Sequence, residues 1–279
     1  MKKFYIALIL TLMYVPILLV IIYSFNNSHI SSLWDGFTLR WYRDLFRDRS
    51  MFIALGNSLI LGILSSLSAA VIGTLGAVGL YTKSGLIRKR HPAGKVIEYL
   101  AVLPIMIPEI ILGMVSLAFF SLLGLPLGMS TLVIAHTVFC VPYVYLVVKG
   151  RLVGMDKSFT EAAKDLGAGE WRAFFDITLP LILPAVVSGV LLSFAMSFDD
   201  VIVSSFVTGP NTNTLPIKIY SQIKTGVTPK TNALCTLLFA ATIVLCLLSA
   251  YLARPRRKGK TEKKSPENQK EIFHEKKRA

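Results

Sequence analysis

The sequence contains few cysteines and few histidines, which limits the chemistry that it can support. Its three cysteines, Cys140, Cys235 and Cys246, lie in apolar segments without paired spacing, so neither a disulfide framework nor a metal site is indicated. The four histidines are scattered along the chain, and His136 is expected to be a hydrogen-bonded helix residue rather than a ligand. Because no Ser/His/Asp set stands out either, the sequence predicts no catalytic residues and no bound metal.

Phosphate-binding sequences are also missing from the chain. It has no Walker A sequence, no other glycine-rich phosphate loop and no internal repeat. We therefore expect that the chain does not hydrolyse ATP by itself and binds no cofactor.

Apolar residues are what the sequence has in abundance. They make up 53% of the chain and give a mean hydropathy of +0.60, which is typical of an integral membrane protein. A helix of about 20 apolar residues spans the hydrocarbon layer. The sequence therefore predicts an all-α transmembrane domain over residues 1–253, with six spans at about 4–24, 53–82, 96–123, 131–149, 179–206 and 233–253.

The two ends of the chain call for separate interpretations. The first apolar run is too long for a usual signal-peptide core and no small-residue cleavage site follows it, which favours an uncleaved helix. Behind it, the sequence FTLRWYRDLF is expected to form an amphipathic helix at the membrane surface. Residues 254–279 are strongly basic, and we expect a disordered cytoplasmic tail.

Positive charges predict the orientation of the chain. Of the 30 Lys and Arg residues, 23 lie at the N-terminus, in the 83–95 and 149–178 loops and in the tail, and 7 lie in the three alternate loops. Loops rich in Lys and Arg stay in the cytoplasm. Both termini and the segment 150–178 are therefore expected in the cytoplasm. This distribution also favours a topological signal over nucleic-acid binding as the reason for the net charge of +14.

The most polar interior segment runs from Ser158 to Pro184. Ser158 and Glu161 have the spacing of a capping box, in which each side chain satisfies a backbone donor at a helix start. Gly167 suits the left-handed residue that closes such a helix. A second helical segment is expected from about 169 to 176. On local chemistry alone, an ordinary amphipathic loop helix capped by Glu161 would account for this pattern.

Seven residues of this segment fit the EAA signature of ABC-importer permeases, which reads EAA, three residues, G, nine residues, I, any residue, L, P. They are Glu161, Ala162, Ala163, Gly167, Ile177, Leu179 and Pro180. The resemblance implies a cytoplasmic coupling helix that sits in a cleft of the ATP-hydrolysing subunit. It assigns that contact to Glu161, Ala162, Ala163, Asp165, Leu166 and Gly167.

Three carboxylates lie inside apolar runs: Glu109 in the third, and Asp199 and Asp200 in the fifth. A charge at the centre of a lipid-facing helix costs about 2.5 to 3.5 kcal/mol, so these acids should face a bundle interior or a wet cavity. No Lys or Arg lies in the same central regions, which predicts a site for an external cation. The alternative is that Glu109 is protonated or bonds to backbone freed by two prolines, and that Asp200 bonds to a neighbouring helix and does nothing else.

The kind of cation follows from the other residue types. A dry metal cage would need more oxygen ligands, and a redox metal would need His or Cys. Carboxylates together with aromatic rings suit an organic ammonium compound, because ring faces attract cations. The predicted substrate pathway therefore adds three aromatic residues to the acids: Phe198, Tyr143 and Tyr220.

A wider resemblance covers nearly the whole chain. The stretches LPIMIPEIILGM, AHTVFCVPYVYLVVKGRL and SFDDVIVSSFVTGPNTNTLPIKIYSQIKTGV resemble the spermidine/putrescine-type (PotC-like) permeases of bacterial ABC importers. That family implies a type I, MetI-like importer fold in the bacterial inner membrane. It also implies a PotB-like second permease, a PotA-like ATPase dimer that carries ATP and Mg²⁺, and an extracytoplasmic, PotD-like polyamine-binding protein. The basic tail lies outside the resemblance.

Three other functions stay open at this point. One is an ABC importer for another solute, such as an amino acid, a peptide or an oxyanion. The second is a cation-coupled secondary carrier or channel with a proton relay through Glu109 and Asp199. The third is a membrane-anchored binder of nucleic acid or lipid that acts through the basic tail.

Overall fold

The computed structural model of the chain describes residues 2–28, 33–83, 93–156 and 158–252. Within these residues the secondary structure is helical, apart from an isolated antiparallel β-bridge between Asn26 and Phe37. The predicted basic tail lies outside the described residues.

The helices follow each other with short connections. In chain order they are α1 (Lys2–Tyr23), α2 (Arg40–Arg47), α3 (Arg49–Lys83), α4 (Ala93–Met106), α5 (Glu109–Leu122), α6 (Met129–Val153), α7 (Ser158–Asp165), α8 (Glu170–Ala173), α9 (Leu179–Asp199), α10 (Ile202–Val207), α11 (Leu215–Thr225) and α12 (Pro229–Leu252). A π-helical turn, Phe174–Thr178, joins α8 to α9.

Four helices of the described chain are long and apolar enough to cross a membrane: α1, α3, α6 and the run Glu170–Asp199 that contains α8 and α9. The bent pair α4 and α5 is a fifth candidate. The apolar helix Pro229–Val244 is shorter than these. The predicted total of six spans therefore stays a prediction.

The predicted third span, 96–123, differs from a single straight helix. Helices α4 and α5 meet at an angle of 108° across a break at residues 107 and 108. Pro108 has φ −58° and ψ 134°, an extended conformation, and it precedes the first residue of α5. Proline lacks an N–H and disfavours helical backbone in the residue before it, which explains the break.

Helices α3, α6 and α9 pack closely around a shared apolar core. Its fully buried side chains include Val144 and Tyr145 of α6 and Ile182 of α9. Gly73 makes the close approach of α3 possible, because a Cβ at that position would lie 2.9 Å from Cβ of Val144. Small residues at such crossings are typical of helix packing in membranes.

A second cluster holds α5, α6 and α10 together. Its buried members include Phe120 of α5, Leu132 of α6 and Val203 and Val207 of α10. Gly113 lies at this contact, where an added Cβ would be 2.4 Å from Cδ2 of Phe206. The short helix α10 is thus fixed against the re-entering part of the third apolar run.

The expected surface helix forms, but its apolar face is occupied by the chain itself. Trp41 and Leu45 of α2 are buried, and the Trp41 indole Nε1 donates to the carbonyl of Asn26 at 2.7 Å. Beyond α2, Asp48 accepts a hydrogen bond from Lys230 Nζ at 2.7 Å. Partial burial would raise the pKa of Asp48, but hydrogen bonds from Lys230 and Ser50 outweigh it and hold that pKa well below its usual range.

Contact clustering divides the chain after Ala233, which lies within α12. The site described below lies entirely in the first unit.

Candidate functional site

A cavity of about 360 Å³ lies where the α4–α5 break meets α6 and the α9–α10 junction. Glu109, Asp199, Asp200 and Tyr143 all line it. The structure thus brings together four of the six residues that the sequence predicts for a substrate pathway. Among the described residues that line the cavity, none is Lys or Arg, so its charge is acidic.

Glu109 and Asp199 are the open carboxylates of this cavity. Glu109 is the first residue of α5, directly after Pro108, and Asp199 is the last residue of α9. Both side chains are exposed. In the part of the chain that the structure describes, neither accepts a hydrogen bond or forms an ion pair. Two uncompensated charges therefore face the same space.

Asp200 differs from the other two acids because it has protein partners. Its Oδ1 accepts the N–H of Val203 at 3.2 Å, and its Oδ2 accepts the N–H of Ser204 at 2.7 Å. These bonds satisfy free donors at the start of α10, as a capping carboxylate does. The backbone of Asp200 is extended, with ψ 129°, so α9 ends here and the predicted fifth span, 179–206, consists of two helices. The expectation that all three acids lack internal partners is wrong for Asp200.

His136 is fully buried on α6 and hydrogen-bonded through both ring nitrogens, which confirms the expectation for this residue. Nδ1 lies 2.8 Å from Oγ of Ser197, and Nε2 lies 2.9 Å from Oγ of Ser204. Nε2 is also 3.4 Å from Oδ2 of Asp200. Sequence analysis did not single out the two serines. The spacing from Asp200 to Ser204, which is typical of a helix start, could have pointed to the second.

Two predicted aromatic residues do not reach the cavity. Phe198 stacks on Phe194, with ring centroids 5.7 Å apart. Tyr220 lies on α11, and Nζ of Lys224 is 4.7 Å from its ring centroid, so the chain supplies its own cation to that face. Phe139, which sequence analysis did not name, lines the cavity beside Tyr143.

The predicted coupling segment is the second candidate site. Gly167 has φ +82°, and the N–H of Ala168 donates to the carbonyl of Ala163 at 2.9 Å, which is the longer bond of a Schellman motif. Gly167 therefore closes α7 as predicted. The predicted capping box is wrong, because Ser158 is already helical and donates its N–H to Oδ1 of Asp156 at 3.0 Å. The backbone and side-chain hydrogen bonds from Ser158 lower the pKa of Asp156.

Large apolar side chains project from this polar segment. Leu166 is 89% exposed and Trp171 is 76% exposed, and Phe159 and Phe175 are exposed beside them. Of the six predicted coupling residues, Ala163 is buried, while the others are exposed: Glu161, Ala162, Asp165, Leu166 and Gly167. An exposed apolar patch rimmed by polar residues is typical of a protein-binding surface.

Comparison with known proteins gives consistent results. Residues 77–257 match the family described as binding-protein-dependent transport system inner membrane component. The chain is 42% identical over 249 residues to the spermidine/putrescine transport system permease protein PotC of Escherichia coli (strain K12), which covers 89% of this chain and 92% of the relative. It is 40% identical over 248 residues to the putrescine transport system permease protein PotI of the same strain, covering 87% and 86%.

A solved structure of the MetNI methionine ABC transporter matches the fold. The TM-score is 0.61 at 19% identity, covering 76% of this chain and 95% of the solved chain. The prediction of an all-helical, MetI-like fold is thereby confirmed at the level of the fold.

Proposed function

The chain belongs to the family of binding-protein-dependent transport system inner membrane components, and from this membership we propose that it is the permease subunit through which an ABC importer takes up polyamines. It is a multi-pass inner-membrane protein and hydrolyses no ATP itself, since the ATPase of such transporters is a separate chain. Its relatives PotC and PotI are named for spermidine and putrescine transport.

The observation that carries the substrate class is the pair of open carboxylates at the cavity, Glu109 and Asp199. An ammonium group 4 Å from a carboxylate gains about 4 kcal/mol at an effective dielectric constant near 20, before desolvation is subtracted. Tyr143 and Phe139 add aromatic faces to the same wall, which favour an organic cation. A passage that must release its substrate is served by a few such contacts rather than by a closed cage.

The coupling to ATP hydrolysis is proposed for α7 and the turn behind it. Exposed Leu166 and Trp171 would enter a cleft of the ATPase subunit, with Glu161 at the same contact. Closure of an ATPase dimer would then turn the helices and move the cavity opening from one side of the membrane to the other, as alternating access requires.

The remaining partners follow the same proposal. A PotB-like second permease would complete the pathway, a PotA-like ATPase dimer would carry ATP and Mg²⁺, and a PotD-like polyamine-binding protein would deliver the substrate outside. The loops at 25–52 and 208–232 would face that binding protein. This arrangement requires both termini in the cytoplasm, as the distribution of Lys and Arg favours.

The rival functions differ in what they need from the chain. An oxyanion importer is disfavoured because the cavity is acidic. A cation-coupled carrier could use Glu109 and Asp199 as a relay, but it would not need the EAA segment. A binder that acts through the basic tail would need that tail, whereas we expect uptake to survive deletion of residues 259–279.

The proposal is tested by uptake of labelled spermidine, putrescine and a neutral amino acid into cells with and without this chain, with all partners present. We expect amine uptake to be lost without the chain and amino-acid uptake to be unchanged. Dependence of the amino acid on the chain, with no effect on either amine, would contradict the substrate class. Amine uptake that stops with a protonophore while cellular ATP is kept constant would favour the carrier.

A further inference from the structure

A continuous chain of buried polar side chains leads from the helix core to the cavity wall. Oγ of Ser65 on α3 lies 2.9 Å from Oγ of Ser197, which lies 2.8 Å from Nδ1 of His136. On the other side of the ring, Nε2 lies 2.9 Å from Oγ of Ser204, and Ser204 is hydrogen-bonded to Asp200. Ser65, Ser197, His136 and Ser204 are each at most 2% exposed.

One arrangement of hydrogen atoms satisfies the whole chain. The Ser65 hydroxyl donates to Ser197, and the Ser197 hydroxyl donates to Nδ1 of His136. Nε2 of a neutral imidazole then carries the hydrogen and donates to Oγ of Ser204. The Ser204 hydroxyl donates in turn to Asp200, together with the Ser204 N–H. Every link runs in one direction and ends on the carboxylate.

The end of this chain coincides with the one partnered acid of the cavity. Asp200 receives the hydroxyl and the N–H of Ser204 and the N–H of Val203, so its carboxylate is held in a fixed orientation. Asp199 and Glu109, which are open at the same cavity, have no comparable support in the described residues. Hydrogen bonds to a charged acceptor are the strong ones, and they restrict its direction.

We propose that His136 is a positioning residue of the transport pathway, which acts through Ser204 to hold Asp200 as an oriented carboxylate at the cavity wall. This inference rests on the proposed uptake of amines, and it adds a residue that never touches the substrate. Helix association gives no sufficient reason for a buried imidazole at this place, because a buried polar group is costly unless it is hydrogen-bonded.

The layer one helical turn away shows that α6 and α9 are joined without such a chain. There, Sγ of Cys140 lies 3.4 Å from the carbonyl of Ser193, and Oγ of Ser193 lies 3.3 Å from the carbonyl of Cys140. Both residues are buried at the same helix contact. Neither is hydrogen-bonded to Asp200, so Cys140→Ala and Ser193→Ala are matched controls for loss of packing.

Two substitutions separate the two nitrogens of His136. The amide nitrogen of glutamine occupies the place of Nε2, so His136→Gln keeps a donor towards Ser204. The amide nitrogen of asparagine occupies the place of Nδ1, so His136→Asn keeps a partner for Ser197 and loses the link to Ser204. The measurement is the initial rate of spermidine uptake by the complete transporter, divided by the amount of this chain in the membrane.

We expect His136→Asn to lower this rate about tenfold, as the loss of support for a charged acceptor suggests. His136→Gln should stay within about twofold of the wild type, and so should the two control variants. Equal losses for His136→Gln and His136→Asn would overturn the proposal, because a residue needed for packing alone is not rescued by the nitrogen that faces Ser204.

A double-mutant cycle with Asp200→Asn supplies the second readout. If His136 acts through Asp200, His136→Asn lowers the rate no further once Asp200→Asn is present. Independent, multiplicative losses in the double variant would overturn the proposal. Failure of the proposed function is a different result, since the wild-type transporter itself would then take up no amine.

Discussion

At the scale of single residues, the acids of the cavity have unlike environments although the sequence presents them alike. Glu109 and Asp199 are exposed at the cavity, whereas Asp200 is bonded to the start of α10. Sequence reasoning could find all three, because a carboxylate in an apolar run needs a reason. It could not assign their partners, since these depend on where α9 stops and α10 starts.

The open acid Glu109 is expected to act by its charge. Glu109→Gln removes one negative charge at nearly constant size, so it should lower uptake of trivalent spermidine more than that of divalent putrescine. The measurement is the ratio of the two initial uptake rates. Asp44→Asn removes a carboxylate that is paired with Arg40 away from the cavity, and it should leave the ratio unchanged. Equal losses of both amines in Glu109→Gln would argue against direct charge pairing.

The neighbouring acids should separate transport from stability. Asp199→Asn should reduce spermidine uptake without changing the thermal stability of the purified transporter, because the side chain has no bond to lose. Asp200→Asn should reduce both, with a loss of about 1 kcal/mol that is typical of a weakened helix cap. Melting temperature and uptake rate are measured on the same preparations. Unchanged uptake in both variants would remove these acids from the pathway.

At the scale of helices, the positions of the breaks decide where the site lies. The α4–α5 bend at Pro108 and the α9–α10 junction at Asp200 both open onto the cavity. Hydropathy predicted the apolar runs that contain them, but it treats a run as one helix. The proline signal for the first break was visible in the sequence. The second break depends on a carboxylate that satisfies backbone donors, a pattern that many aspartates could form.

The turn that closes α7 gives a prediction for the coupling segment. Gly167 has φ +82°, a conformation that is unfavourable for other residues, whereas Gly169 has φ −64°. Gly167→Asp should therefore abolish uptake by distorting the end of α7, while the protein still inserts into the membrane. Gly169→Ala is the matched control, because an added Cβ there meets nothing within 4 Å.

The charge at the start of α7 can be tested in the same assay. Glu161→Lys should also abolish uptake at normal membrane levels, because it reverses the charge of an exposed residue at the proposed ATPase contact. Normal uptake with either Gly167→Asp or Glu161→Lys would refute the coupling role. Both are scored by ATP-driven uptake and by the amount of inserted chain.

At the scale of the whole molecule, fold class and family could be predicted from the sequence because they depend on features that are local in the chain. Apolar run length, Lys and Arg counts and the EAA spacing each occupy a contiguous stretch. The cavity combines residues from four helices, and the exclusion of Phe198 and Tyr220 follows from neighbours that are distant from the acids. Ring contacts with Phe194 and Lys224 decide it, and periodicity does not predict them.

The orientation of the chain gives a prediction for the intact cell. In a cysteine-free background, Leu166→Cys should react with a membrane-impermeant thiol reagent only in inverted vesicles, and Asp35→Cys only in intact cells. This follows from the placement of the 150–178 segment in the cytoplasm and of the loop at 25–52 outside. Labelling of Leu166→Cys from outside would contradict both the orientation and the coupling proposal.

The central claim is that ATP hydrolysis on a partner drives an organic cation through an acidic passage in this chain. Its most direct measurement is accumulation of labelled spermidine in proteoliposomes that contain this chain and its partners, with ATP on the side of the ATPase and the binding protein on the other. We predict accumulation against the concentration gradient that needs hydrolysable ATP and falls when Glu109 and Asp199 are both replaced by their amides. Equal accumulation with a non-hydrolysable analogue, or with both acids removed, would contradict the account.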